Sequence, residues 1–337
     1  IYGFLTGIYG GANVNGNVAG NINVNVKANV GATGGDNNRR DVFGGGLGAN
    51  TTTGGNVTVT IGYDNTAPTI YGDIYGGSAF GEVGANGKLT KVDFKNGELH
   101  GTIYGGGKGQ VGNTNTNPAI PAYSAEVSGD VEVAVANGTL SDGIYGGCNA
   151  NGNVTGDITV NVSGSASNQT TVGTTSTAAN IHGGGYGAST STNGNVTVNF
   201  GNTPDTRSEY PKVYGDIYGG SALGWVNDGN DTTMVNILNG EVKKTTSGTI
   251  AGGNIYGGGL GDKTNSIAAL VKGKAMVNIG TMDASNNLKG KAVIEGSVFG
   301  CNNQLGTPQD SVFVNIYSTH HGTGYQNNQY PENPPTG

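Results

Sequence analysis

The chain has 337 residues, enough for a sizeable core, yet 66 of them are glycine, roughly three times the usual share. Apolar residues make up 34% and charged ones only 12%, while the 9 prolines follow no Gly-X-Y period; collagen is excluded, and Asn, Thr, Ser and Gly must form the polar surface. A formal charge of -7, with 16 Lys and Arg and no basic run beyond Arg39-Arg40, argues against nucleic acid or an anionic membrane as a partner.

Along the chain the motif Ile-Tyr-Gly-Gly recurs with variations. Its units start near residues 8, 42, 74, 103, 144, 181, 217, 255 and 298, so their spacing is that of one structural unit per repeat. Each motif is followed by a Gly/Asn-rich turn and then by a short alternating strand, such as Asn56-Val57-Thr58-Val59-Thr60-Ile61. Aligned on these strands, one column is valine in every unit: Val24, Val59, Val92, Val133, Val160, Val198, Val235, Val277 and Val314. A second apolar column lies two residues on, from Val26 and Ile61 to Ile279 and Ile316, and the residue between is mostly polar, with Asn161, Asn199, Asn236, Asn278 and Asn315 in a row. Apolar at i and i+2 with polar between is the signature of a half-buried strand, and no window carries a sustained helical period. A longer period overlies the short one. Gly11–Val26 matches Gly147–Val162 and Asp73–Val83 matches Asp216–Val226, so units one to four correspond to units five to eight.

One unit cannot bury its apolar side alone, so the units must stack. The expected fold is therefore all-β: a parallel β-helix, or β-solenoid, of about nine coils with essentially no helix, about 40 Å long at ~4.8 Å per coil. Glycines supply corners with positive φ and close backbone approaches. Polar stretches such as Asn113–Ser124 and Asn168–Asn180 read as surface loops. Residues 1–317 form the repeat domain, and the Pro/Asn-rich Ser318–Gly337 reads as a linker or long loop. Residue 1 falls within a repeat motif, without an initiator Met or signal sequence, so a piece of a longer chain is expected. No run approaches about 18 apolar residues, so no membrane span is expected.

Strict alternation sets Tyr71, Asp73 and Tyr75 on the face opposite Ile70 and Ile74, and Asp73 marks that face as the outer one. The aromatic column is Tyr9, Phe43, Tyr75, Tyr104, Tyr145, His182, Tyr218, Tyr256 and Phe299. It has two readings: ring stacking that stiffens a rod, or a ligand platform on which Tyr75, Tyr104, Tyr145, Tyr218 and Tyr256 hold sugars or a partner protein. The position before the valine column turns apolar in the last three units, as Met234, Met276 and Phe313, which predicts a covered strip or an interface.

No catalytic constellation stands out. The acids Asp73, Asp130, Asp157 and Asp216 sit at turns or unit joints, and Asp73 and Asp216 match each other across the long repeat, whereas a catalytic residue is usually unique. His182 occupies an aromatic slot, and His320-His321 has no spaced carboxylate or Cys partners, so no metal or cofactor is expected. Cys148 and Cys301 lie about four coils apart, roughly 19 Å at the coil spacing, too far for a disulfide, and both read as small buried residues.

At the level of the Ile-Tyr-Gly-Gly…Gly-Asn-Val-Thr-Val unit, residues 1–317 resemble the large Gly/Asn/Thr-rich repeat proteins of bacterial cell surfaces, especially those of gut Bacteroidota-type bacteria. In architecture they resemble β-helical adhesins and autotransporter passengers. The resemblance implies an extracellular or cell-surface stalk or adhesin, without shared catalytic residues. Its partners would be host or bacterial surface glycans or proteins, or further repeats of the same parent chain. The leading expectation is a non-catalytic structural or adhesive rod; the alternatives are a carbohydrate-binding solenoid using the aromatic column and a glycan-active β-helix enzyme.

Overall fold

A computed structural model describes residues 7–34, 38–202, 206–246, 251–306 and 308–320. Most of the expected linker, His321 included, lies outside them. The chain winds as a parallel β-solenoid, and its described residues contain no α-helix. Each coil has four sides. The first is the two-residue Ile-Tyr strand, from Ile8–Tyr9 to Val298–Phe299, and these strands form one nine-stranded parallel sheet. The third carries the valine column, from Ile22–Val26 to Val312–Ile316, in a second nine-stranded parallel sheet. The second side is built from strands such as Asn13–Val18 and Asn149–Val154, and Val127 bridges its two blocks by pairing with both Val83 and Val154. A seven-stranded sheet, from Thr69–Ile70 to Val293–Ile294, closes the coil.

The register is the one that the valine column demands. Val24 pairs with Val59, Val59 with Val92, and so on without a slip to Val314. Val59, Val160 and Val277 are fully buried in one apolar core running along the axis. Val24 is only half-buried and Val314 is 44% exposed, because a terminal coil lacks a neighbour on one side.

Why Ile-Tyr is followed by Gly-Gly is a matter of space. A Cβ on Gly146 would press on the Gly183 carbonyl oxygen of the next coil and sit 2.9 Å from Val160 Cγ2, and the same clash recurs at Gly44, Gly105, Gly183 and Gly219. At the corner after the valine strand the need is conformational instead: Gly62, Gly201 and Gly280 have φ of 77°, 81° and 76°.

Two of the surface segments behave differently from each other. Residues 113–124 form an exposed loop, pinned by the antiparallel bridge Asn113–Ile120. Residues 168–180 do not form a simple loop, for they contain the strand Thr170–Val172, which pairs in the closing sheet and buries Val172 completely. Its polar flanks hide a strand whose register is inherited from neighbouring coils.

Replacing Val160 by Asp should destabilise the chain by about 3–5 kcal/mol, the scale of an uncompensated buried charge. Gly146→Ala should cost about 1–3 kcal/mol through overpacking. Thermal melting followed by circular dichroism checks both. Melting unchanged from wild type would refute the valine register in the first case, and the tight approach of Gly146 to the next coil in the second.

Candidate functional site

The aromatic column follows from the short strand. Ile points into the core, the next residue points away from it, and Gly-Gly then turns the chain sharply onto the second side. The rings thus sit in the angle between two sides, where they stack coil on coil. Centroid separations run from 4.4 Å (His182–Tyr218) to 5.2 Å (Tyr104–Tyr145), with near-parallel planes from Tyr9 to Phe299.

The rings do lie off the valine core, as alternation requires, but solvent does not reach most of them. Tyr75 is 0% exposed, Tyr218 1%, Tyr104 7% and Tyr256 8%, and Tyr145 is half-buried. Ala79, Leu47 and Phe80 pack against the Phe43–Tyr104 stretch of the column. Asp73 does not mark an exposed face. Its carboxylate accepts bonds from the Tyr75 hydroxyl (3.2 Å), the Thr102 backbone N–H (3.0 Å) and Arg39 (3.2 Å), and burial raises its pKa despite the Thr102 bond. Asn149 donates to the Tyr75 hydroxyl at 2.9 Å, and Asn303 does the same to Tyr218, whose hydroxyl in turn donates to Asp216. Burial, and then the adjacent carboxylate, pushes the pKa of Tyr75 and Tyr218 far up. Burial does the same to Tyr104 and Tyr145, each with a neighbouring tyrosine as the next cause. These phenols are therefore held neutral, Tyr75 and Tyr218 as donors to Asp73 and Asp216, and their ring faces are taken by neighbouring rings of the column.

His182 fills one slot of the stack. It is fully buried between Tyr145 and Tyr218, and neither ring nitrogen has a well-formed hydrogen bond. Burial lowers its pKa to about 3, against a weaker opposing pull from the Gly220 backbone.

The turn acids serve the backbone of the next coil. Asp73 takes the N–H of Thr102, Asp216 that of Asn254, and Asn254 that of Ser297. At another corner Asn21 accepts from Asn56, Asn56 from Leu89, Asp130 from Asp157, Asp157 from Asn195, and Asn195 from Thr232. Sequence reasoning missed these side-chain ladders, although the recurrence of Asn or Asp at unit joints was the signal. A third ladder runs outside the valine sheet, where Asn199, Asn236, Asn278 and Asn315 each donate to the Asn of the preceding coil at 2.8–2.9 Å.

Met234, Met276 and Phe313 stand in register beside that ladder. In the single chain the two methionines are half-buried and Phe313 is 42% exposed, so the strip is only partly covered. The insert after Ile279 folds as a hairpin, Thr281–Met282 against Leu288–Lys289, and brings Met282 to the same groove as Met276. The cysteines are free, in strand-joined coils four steps apart. Cys148 is buried, with its thiol pushed up to about 12 by burial. Cys301 is exposed, contrary to expectation, because it sits on the last coil of the ladder. Among the described residues, no three His, Cys, Asp or Glu side chains gather as a metal site, and no helix is long and apolar enough to cross a membrane.

No protein-family model, curated protein or solved structure matches this chain.

Two measurements test this geometry. Because the His182 pKa is lowered from 6.5 to about 3, its neutral form stabilises the fold above pH 6.5, and that contribution is lost as pH falls from there towards 3. His182→Phe should therefore flatten the fall in melting temperature over that window; an identical pH profile would refute the buried neutral ring. In the native protein a thiol reagent should modify Cys301 quickly and Cys148 only on unfolding, and equal rates would contradict the burial of Cys148.

Proposed function

We propose that this chain is a non-catalytic rod of an extracellular or cell-surface bacterial protein, serving reach, rigidity and display. The observation that carries the reading is the destination of the reactive side chains. Asp73, Asp157 and Asp216 are spent on backbone N–H groups, Tyr75 and Tyr218 are locked by Asn and Asp partners, and His182 is sealed within a ring stack. All serve coil-to-coil cohesion, and none is left with a cavity and a free partner, as acid–base chemistry requires. The mutual stacking of the rings likewise supports a stiffening role for the tyrosine column over a sugar platform.

The purified chain should appear as uniform straight particles in electron micrographs, and it should release no reducing ends from a panel of neutral and acidic polysaccharides. Flexible or collapsed particles, or hydrolysis abolished by Asp73→Asn or Asp216→Asn, would overturn the reading.

A further inference from the structure

Beyond the valine sheet lies a groove of about 530 Å³ that the rod reading does not use, a size in the range of ligand sites. Its floor is the asparagine ladder from Asn199 to Asn315, three coil steps or about 14 Å long at the coil spacing. One side is formed by Met276, and the other by Leu238, Met282 of the hairpin and the ring of Tyr317. Among the described residues, no charged side chain lines it.

The chemistry of the floor is specific. A carboxamide has two N–H donors and an oxygen with two lone pairs. The ladder uses one donor of each amide and one lone pair of all but Asn315, whose oxygen accepts no bond among the described residues. The second donors have no protein partner there either, and the amides are only half-buried. The groove thus presents donors and acceptors in alternation, repeated at each coil, between apolar and aromatic walls.

The geometry points to this groove as a binding site for a neutral polysaccharide strand lying along the rod axis. Hydroxyl groups both donate and accept, which suits outward amides; the apolar faces of sugar rings suit Met276, Met282 and Tyr317. A charged polymer would find no counter-charge in the groove. The proposal is independent of the rod reading, since a rod without a ligand is still a rod.

Native affinity electrophoresis of the whole chain, in gels containing a mixed-linkage β-glucan, a galactomannan or amylopectin, tests it. Retardation is expected in at least one gel, weakened at least about tenfold by Tyr317→Ala and by Asn278→Asp, and unchanged by Thr58→Ala on the same sheet outside the groove. Met282→Trp, on the exposed hairpin wall, should block the groove without touching the ladder, and so decides the matter if either other variant melts early. No retardation in any of the three gels overturns the proposal. So does retardation that survives both Tyr317→Ala and Met282→Trp.

Discussion

Parallel in-register pairing between coils is the constraint from which the rest follows. Each side chain has as its nearest neighbour the side chain at the same position one coil on, about 4.8 Å away. A residue is therefore tolerated only if it can stack on a copy of itself or a close relative. Valine stacks on valine inside, ring on ring at the first corner, and amide on amide outside. The same spacing explains the low charge, since a column of like charges would repel at every step. Where two charged side chains do meet in register in the valine sheet they are opposite in sign: Lys91 is bonded to Glu132 at 3.1 Å.

Space between coils is the second consequence. The residue after Gly-Gly, or after Gly300-Cys301 in the last coil, is Ala12, Ser78, Cys148, Ser221 and Asn302 in odd coils, and Gly46, Gly107, Gly185 and Gly259 in even ones. The odd side chains fill the room that a Cβ on the preceding even coil would need, at Gly45, Gly106, Gly184 and Gly258. Ser78 and Ser221 also accept the backbone N–H of Gly46 and Gly185 at 3.1 Å. A period of two thus lies within the period of four, and the latter extends to hydrogen bonds: Asn149 reaches back two coils to Tyr75, and Asn303 reaches back two coils to Tyr218. Even backbone strain repeats, with Val14 and Ala150 both at φ 66° on equivalent bulges. Strain that recurs with the repeat belongs to the architecture of the coil and marks no unique site.

Interior and exterior answer different demands. Inside, apolar burial and ring stacking dominate, and the thiol of Cys148 and the imidazole of His182 are both held neutral by burial. Outside, the Asn ladder satisfies only part of its own hydrogen-bonding capacity. Function in such a rod is therefore sought on its outer faces, where side chains have capacity to spare.

The sequence by itself determined the coil, the register and the four-unit repeat, because period-2 alternation and stacking act on residue types at fixed spacing. The cysteine separation followed for the same reason. Tertiary structure alone decided what covers what. Alternation placed Tyr75 off the valine core but could not tell that the second side of the coil folds over it, nor that the Asp73 carboxylate is engaged by a backbone N–H of the next coil. Nor could local polarity reveal that Thr170–Val172 joins the closing sheet and buries Val172, or that a hairpin brings Met282 to Met276. Spacing along a strand sets which face a side chain takes; burial depends on segments distant in sequence, and only the closed coil brings those together.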